Sequence, residues 1–413
     1  MLDIKFIREN RELVIENCKN RNVKIDIDLL LKYDEERRGV LQKLEDLRAL
    51  RNQGSKGKPS EEEILKMREV GGGIKIEEEK LSVIEEKYKD LLGQVSNLTH
   101  PNSPVGKEED FVILKTKGKP AEFDFSIKDH EILMTDLDII DFERGAKTTG
   151  SKFYFVKNKA VKLNQALINY GLDILEKHGF NLLETPDLIK NEILEGSGFN
   201  PRGEEKQTYE ITGQNLSLIG TAEITTLGYH ANEVLDLENG PIKYAALSHC
   251  FRTEAGSYGK ASKGLYRVHQ FTKLEMFIFC KPENSEKLHN EILKIEEEIL
   301  DGLELPYRVI DIATGDLGGP AYRKFDIESY MPMLENYGEI TSCSNCTDYQ
   351  ARRLNIKYKN EEGKNEFVHT LNGTAVVLSR FPLSLVENFQ QKDGSIKIPK
   401  KLQKYCGFKK ITK

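Results

Sequence analysis

Arg252 and Glu254 close the run Ser248-His-Cys-Phe-Arg-Thr-Glu254, and Leu265-Tyr-Arg-Val-His-Gln-Phe-Thr-Lys-Leu-Glu275 follows after a short gap. Residues 244–251 are apolar and read as a strand, and Glu254-Ala-Gly-Ser-Tyr-Gly259 has the small residues of a loop. After Gly264 the alternation is strict, so Arg267, His269, Phe271, Lys273 and Glu275 fall on one strand face. An arginine can hold a phosphate through its planar fork. A phenyl ring can stack on a base, and a carboxylate can accept from an amine or hydroxyl. Such a surface is a nucleotide site on an antiparallel sheet, without a P-loop. The same pattern also suits a half-buried hairpin whose charged face is simply wet.

Further segments separate these readings. Phe-Arg-x-Glu254 followed by Arg267-Val-His-Gln-Phe-x-Lys-x-Glu275 resembles the second signature of class II aminoacyl-tRNA synthetases, in its seryl version. Leu183-Glu-Thr-Pro186 resembles the first signature, and Arg380 sits where the third has its arginine. Thr221-Ala-Glu223, Ala313-Thr-Gly-Asp-Leu-Gly318, Lys324-Phe-Asp-Ile-Glu328, the segment from Glu339 to Arg353, and Leu371-Asn-Gly-Thr-Ala375 resemble seryl-enzyme core segments in the same order. The resemblance covers nearly the whole chain. It implies a serine–tRNA ligase that joins L-serine to ATP and passes the seryl group to tRNA(Ser), with tRNA(Sec) as a further candidate acceptor.

The resemblance also assigns roles. Arg252 and Arg380 are the catalytic arginines, the first bridging α-phosphate and carboxylate, the second holding the γ-phosphate end. Adenine stacks on Phe271, Glu254 accepts from its amine, and the main chain near Val268 adds a contact. Thr253, Glu339, Ile340, Thr341 and Ser342 complete the ATP set. Glu339 and Ser342 are the expected Mg²⁺ ligands, an oxygen set suited to that ion. Thr221, Ala222 and Glu223 take the serine ammonium side, Glu275 with Thr374 the hydroxyl, and Asn372 stands beside them. Joining two anions should be mostly positioning and charge stabilisation. No side chain stands out as a general base for transfer, which the adenylate phosphate could serve. His269 reads either as a participant or, preferably, as a structural histidine.

The elements that must carry these residues differ along the chain. In the first hundred residues Leu30, Tyr33, Arg37, Val40, Leu44, Leu47 and Arg51 step by three and four. Met67, Val70, Ile74, Glu77, Leu81, Ile84, Tyr88, Leu91, Val95 and Leu98 do the same. These are heptad seams, predicting an antiparallel helical hairpin. Asn52-Gln-Gly-Ser-Lys-Gly-Lys-Pro59 makes its turn, and Ser60-Glu-Glu-Glu63 gives a capping box. Gly71-Gly-Gly73 interrupts the second helix between two seam positions. Basic residues gather toward the tip. The charges alone suit a solvated face equally well; the resemblance makes the arm a grip for tRNA, with Arg48, Arg51, Lys56 and Lys58 as contacts. His100-Pro-Asn-Ser-Pro-Val-Gly106 breaks the second helix.

Beyond it, a helix over residues 159–178, another over 285–300, and strands near Leu182, Tyr244, Leu265, Tyr307, Phe325 and Glu366 predict an α+β domain. The expected organisation is an N-terminal tRNA-binding domain with a coiled-coil arm, residues 1–108. A class II catalytic domain built on an antiparallel sheet flanked by helices, residues 109–413, follows. The lysine-rich residues 397–413 read as a frayed, soluble tail.

The net charge of −6 over 413 residues argues only mildly against a nucleic-acid partner, because a local basic stripe suffices. Cys343-x-x-Cys346 has no second pair at finger spacing, so no structural zinc is expected and reduced thiols in the cytoplasm are. The N-terminus lacks the apolar run of a signal peptide or membrane span. Class II enzymes of this kind imply a homodimer through the helix and strand of residues 159–186. A carrier-protein-charging paralogue tends to lack the arm. A catalytically dead RNA-binding paralogue would not need Arg252, Glu254, Phe271, Glu275, Glu339 and Arg380 together. A plain coiled-coil scaffold leaves most of the chain unexplained.

Overall fold

Two short helices, α1 (Ile4–Glu9) and α2 (Arg11–Asn20), precede the long pair α3 (Ile27–Gly54) and α4 (Glu61–Gln94). The computed structural model describes residues 1–54, 61–199, 207–254 and 264–413. The predicted turn starts at Asn52, but α3 continues through Gly54, since the i→i−4 ladder can run on to the glycine. The rest of that turn (residues 55–59), the Ser60 cap, and most of the loop after Glu254 lie outside the described residues. Val40, Leu44, Val70 and Ile74 form a buried seam between α3 and α4, flanked by Leu47, Met67, Leu81 and Ile84. Nearer the hairpin base, Leu30, Tyr88, Leu92 and Val95 pack with Ile7 and Val14 of the first two helices. Helix α4 ends at Gln94, so Val95 and Leu98 continue the seam without being helical. The Asn97 carbonyl, just past the helix end, accepts from Asn17 Nδ2 (2.9 Å) and Arg21 Nη1 (3.0 Å) instead. These residues belong to one unit, Met1–Leu98; the second is Thr99–Lys413.

The second unit is built on eight strands: β1 (Val112–Lys117), β2 (Asn181–Glu184), β3 (Ile242–Phe251), β4 (Gln270–Cys280), β5 (Tyr307–Asp311), β6 (Arg323–Met331), β7 (Asn336–Thr347) and β8 (His369–Val377). Their order in the sheet is β1-β5-β6-β7-β8-β4-β3-β2. All neighbours are antiparallel except the edge strand β2, which runs parallel to β3, so the sheet is mixed rather than purely antiparallel. Strand β4 starts at Gln270, not at Leu265; residues 264–267 form turns and bends before it. Its burial explains the fold. Leu274, Met276 and Ile278 are wholly buried in the main core with Leu163, Leu167 and Ile174 of α5 (Asn158–Lys177) and Ile292, Ile295 and Ile299 of the later helix Ser285–Gly302. On the opposite face Phe277 and Phe279 pack with Leu227, Ala351 and Ile356, leaving the Phe271 end of that face open. Helix α6 (Ala222–Tyr229) borders that face; α7 is Ser285–Gly302, and α8 (Arg380–Asn388) follows β8 directly.

The predicted tail is not frayed. Ile396–Lys397 pairs with Lys410–Ile411, and the helix Lys400–Cys406 between them buries Leu402 and Cys406. Among the described residues, no helix is long and apolar enough to cross a membrane.

Candidate active site

Two β-bulges decide which side chains meet. Along β7, Thr341 pairs with Ile327 and Glu339 with Glu328, so Ile340 is the extra residue. The bulge turns Glu339 and Ser342 toward the same cavity although their spacing is odd. Along β8, Thr374 pairs with Glu275 and Val376 with Leu274, making Ala375 the extra residue. Thr374 and Val377 then line the same cavity.

That cavity, about 540 Å³ with its mouth, gathers Arg252, Glu254, Val268, Phe271, Glu339, Ser342, Thr374 and Arg380. The Arg252 guanidinium lies over the Phe271 ring at 5.4 Å and donates through Nε to the Gly220 carbonyl (3.1 Å). Its backbone N–H donates to His269 O (3.0 Å). Arg380, the first residue of α8, pairs through Nη1 with Glu339 Oε2 at 3.0 Å and lies over the Tyr266 ring at 4.9 Å. Burial pushes the Glu339 carboxyl up. Arg380, Lys324 and Arg252 outweigh it and hold the group down at about 2, so it stays ionised. Glu254 sits in the left-handed region at φ 51°, uncommon for a residue with a side chain. Its carboxylate meets Arg267 Nη1 at 3.1 Å, and its N–H donates to Gln207 Oε1 (3.1 Å).

A deeper polar cluster adjoins the cavity. Thr221 caps α6, accepting from the Glu223 N–H (3.3 Å). Gln350 Nε2 donates to Glu223 Oε1 (2.5 Å), and burial raises the Glu223 carboxyl above its usual range. Glu275 is 2 % exposed, beside Lys273 Nζ at 2.5 Å. Burial pushes Glu275 up to about 7; Lys273 pulls it down and Glu223 adds to the rise. The cluster combines a lysine with two acids that burial raises above their ordinary range, Glu275 the further.

Several expected residues contribute through their backbone or not at all. The Thr341 hydroxyl turns away to Glu296 Oε2 (3.1 Å) on α7, which packs on the other face of the sheet. Ala222 is buried, its carbonyl accepting from Thr225 and Thr226. Ile340 and Val268 are buried, leaving their main chain to act. Asn372 is an exception: it directs its amide toward Cys346 Sγ (3.8 Å), and its side chain also hydrogen-bonds the Glu223 carboxyl. Thr253 donates its N–H to Gln207 O (3.1 Å). His269 bonds the Arg252 carbonyl (3.0 Å) and packs against Phe153, the arrangement of a structural histidine.

Lys273, Arg267 and Tyr266 line the cavity without having been given a role from sequence. The alternation that placed Phe271 and Glu275 on one face already put Lys273 between them, and that was the available signal. Tyr266 falls in the irregular stretch before β4, where alternation carries no information.

In the first unit, Arg48 Nη2 pairs with Glu78 Oε1 across the hairpin (2.8 Å), both half exposed. Arg51 is exposed, whereas Arg37 is partly buried over Tyr88 and paired with Glu85. Lys56 and Lys58 lie outside the described residues.

The chain resembles known proteins along its whole length. Residues 1–99 match the seryl-tRNA synthetase N-terminal domain, and residues 208–389 match the tRNA synthetase class II core domain (G, H, P, S and T). It is 52% identical to a serine–tRNA ligase of Treponema denticola, covering 100% of both chains. It is 50% identical to that of Dictyoglomus turgidum, covering 100% of this chain and 99% of that one. Among solved structures, a seryl-tRNA synthetase from Pyrococcus horikoshii complexed with ATP superposes with a TM-score of 0.90 at 39% identity, covering 100% of this chain and 99% of that one. A cytoplasmic serine–tRNA ligase from Naegleria fowleri in complex with AMP gives 0.85 at 33% identity, covering 100% and 99%.

Proposed function

The chain belongs to the seryl-tRNA synthetases, a class II family, and from that premise we propose how its own residues make it a serine–tRNA ligase. The activity is ATP-dependent ligation of L-serine to tRNA(Ser), with AMP and pyrophosphate as products. The observation that carries the reading is the convergence of Arg252, Phe271, Glu339 and Arg380 on one cavity beside the Glu223–Lys273–Glu275 cluster.

In this reading adenine lies on Phe271, with Glu254 and the Val268 main chain at its edge. Arg252 spans the α-phosphate and the serine carboxylate. Arg380, at the N-terminus of α8, holds the far phosphates, where helix dipole and guanidinium act together. Serine enters as a zwitterion whose ammonium meets Glu223, a half-buried carboxyl bonded by the Gln350 amide. Glu275 and Thr374, paired across β4 and β8, take the side-chain hydroxyl. A site built to bond a hydroxyl leaves buried groups unpaired when alanine binds, so alanine is rejected strongly. Threonine is excluded only by its extra methyl, the weaker form of discrimination. Arg252 and Arg380 act as the catalytic arginines by stabilising phosphate charge that grows in the transition state.

The donors present fit Mg²⁺. Glu339 is held ionised and the Ser342 hydroxyl faces the same cavity. Among the described residues no cluster of three acidic, histidine or cysteine ligands exists. That suits an ion taking its remaining ligands from phosphate and water. Bound there, Mg²⁺ would neutralise polyphosphate charge.

Residues 1–108 serve as the tRNA-binding domain, and residues 109–413 as the catalytic domain. We read the protein as a cytoplasmic homodimer. Among the described residues the outer edge of β2 has no partner strand, and Leu182 on it is exposed, as is Val161 in an open cavity lined also by Ile168, Leu247 and Leu378. Six free, buried cysteines suit a reducing compartment. Sedimentation should give a dimer at micromolar concentration; a fully active monomer would remove this part of the reading.

The function is tested by pyrophosphate–ATP exchange with each amino acid in turn, followed by charging of total tRNA. Serine should drive exchange, alanine and threonine poorly, and label should appear on tRNA(Ser). Glu275→Ala should lower kcat/KM for serine by roughly a hundredfold and blunt the rejection of alanine. Exchange equal with serine and alanine would defeat the proposed hydroxyl recognition.

A further inference from the structure

We propose that His130 and Glu387 form a buried positioning pair that fixes the segment at Leu265 and Tyr266 against helix α8, and so sets the affinity of the site for ATP. The inference rests on reading the cavity as the ATP site. Neither residue lines that cavity. His130 is 6 % exposed and Glu387 2 %, and the mechanism above uses neither.

The hydrogen bonds fix the protonation pattern. The Leu265 N–H donates to His130 Nε2 (3.1 Å). A backbone amide can only donate, so Nε2 must be bare and the proton sits on Nδ1. Nδ1–H then donates to Glu387 Oε1 (2.8 Å). The same carboxylate accepts from the His130 N–H (3.4 Å) and, through Oε2, from the Met333 N–H (3.3 Å). In each of these contacts it is the acceptor. Gly264 completes the fit. It stands at φ +60°, and a Cβ there would lie 2.1 Å from His130 Nε2.

The geometry makes this pair more than core filling. Glu387 and Arg380 stand two turns apart on α8. Arg380 reaches Tyr266, donating through Nε to its carbonyl (3.5 Å), while Glu387 reaches the preceding residue, Leu265, through the imidazole. Two consecutive residues are thus tied to one helix at two heights. They lead directly into Arg267, Val268 and Phe271, and the helix begins with Arg380, so the arginine and ring that would bracket ATP are held in one frame. A slip of this frame would weaken phosphate and adenine contacts together. The serine cluster hangs on β4, β8 and α6 and would feel it less.

The test separates the two hydrogen bonds of one ring. In the full-length protein, His130→Gln sets an amide oxygen near Nε2 and keeps an acceptor for Leu265. His130→Asn sets an amide nitrogen near Nδ1, keeps the donor to Glu387 and abandons Leu265. In serine-dependent exchange each variant cuts the chain from Leu265 to Glu387 at one end, so both should raise KM for ATP about tenfold with KM for serine within about twofold. Equal rises in KM for ATP and KM for serine, tracking a fall in thermal stability, would mean the pair is structural only and would overturn the proposal. So would an unchanged KM for ATP in either variant. Arg380→Ala is the control: if it leaves KM for ATP unchanged, the ATP-site reading has failed, independently of the pair. Should neither histidine variant fold, amide exchange at Leu265 in the unaltered protein decides. Saturating ATP should slow it at least severalfold, and no slowing overturns the proposal.

Discussion

Glu275 shows how a single residue can be both legible and opaque in a sequence. Its alternation with Phe271 and Lys273 placed it on the open face, and its resemblance to a signature residue gave it a role. Nothing in the sequence gave its charge state. That follows from depth: burial lifts the carboxyl to about 7, against the pull of Lys273, with Glu223 adding to the lift. The sign follows directly. Below about 7 the group is neutral and is a poorer acceptor; above it, the carboxylate accepts the serine hydroxyl and supports the ammonium electrostatically. Because kcat/KM reports the free enzyme, kcat/KM for serine should fall on the acid side of about pH 7. The same quantity for ATP should fall less, since Glu339 remains ionised throughout that range. Glu275→Gln should flatten the serine limb while lowering its plateau. A serine profile that is level from about pH 8 down to about pH 6 would contradict the assignment. Lys273 was missed for a related reason. On a sequence it is one more charged residue on a wet face, and only its burial against Glu275 gives it a part in the site.

At the scale of elements, period-3.5 and period-2 patterns found the long helices and several strands because burial on one side imposes them, and missed short helices such as α6 and α8, whose few turns carry too little period. They failed where the backbone breaks period. The bulges at Ile340 and Ala375 reset the face of every residue beyond them, so that Glu339 with Ser342 and Thr374 with Val377 share a cavity at spacings no alternating strand allows. Thr341 suffered the reverse and points to Glu296. The parallel edge strand and the early stop of α4 at Gln94 depend on tertiary partners and carry no local signal. The glycine run in α4 is a local signal whose consequence depends on the space around it. A Cβ at Gly71 or Gly72 meets nothing within 4 Å, and one at Gly73 meets only the Leu47 methyls at 3.6 and 3.8 Å, ordinary contact. No packing reason for glycine exists on these sides. Replacing all three by alanine should therefore stabilise α4 by about 1 kcal/mol per position. Amide exchange of residues 67–81 in the full-length protein should slow by at least tenfold. Faster exchange would mean that the helix needs the freedom of this run.

On the scale of the whole molecule, the division of the chain into Met1–Leu98 and Thr99–Lys413 puts every residue of the candidate active site in the second unit. Adenylate formation should then be independent of the hairpin. Charging of tRNA should not be, because a long two-helix arm with a basic end is a means of reaching RNA far from the reacting groups. Arg51 is exposed, and among the described residues Arg48 is held by a half-exposed pair with Glu78, an interaction worth under about 1 kcal/mol that a phosphate could displace. Arg37 is a different case, stacked on Tyr88 and paired with Glu85, so its loss would disturb the seam instead of an RNA contact. Deleting the arm should leave serine-dependent exchange within about threefold and cut charging of tRNA(Ser) by orders of magnitude, since binding energy from a remote contact is spent at the reacting centre. Neutralising Arg48, Arg51, Lys56 and Lys58 together should weaken tRNA binding and reduce the slope of log K against log salt by about one for each phosphate no longer neutralised. Neutralising Arg37 alone should lower the stability of the hairpin and leave that slope unchanged. An armless protein that charged tRNA(Ser) as well as the intact one would reassign the hairpin to packing or partner binding, with the catalytic unit left to recognise its RNA alone.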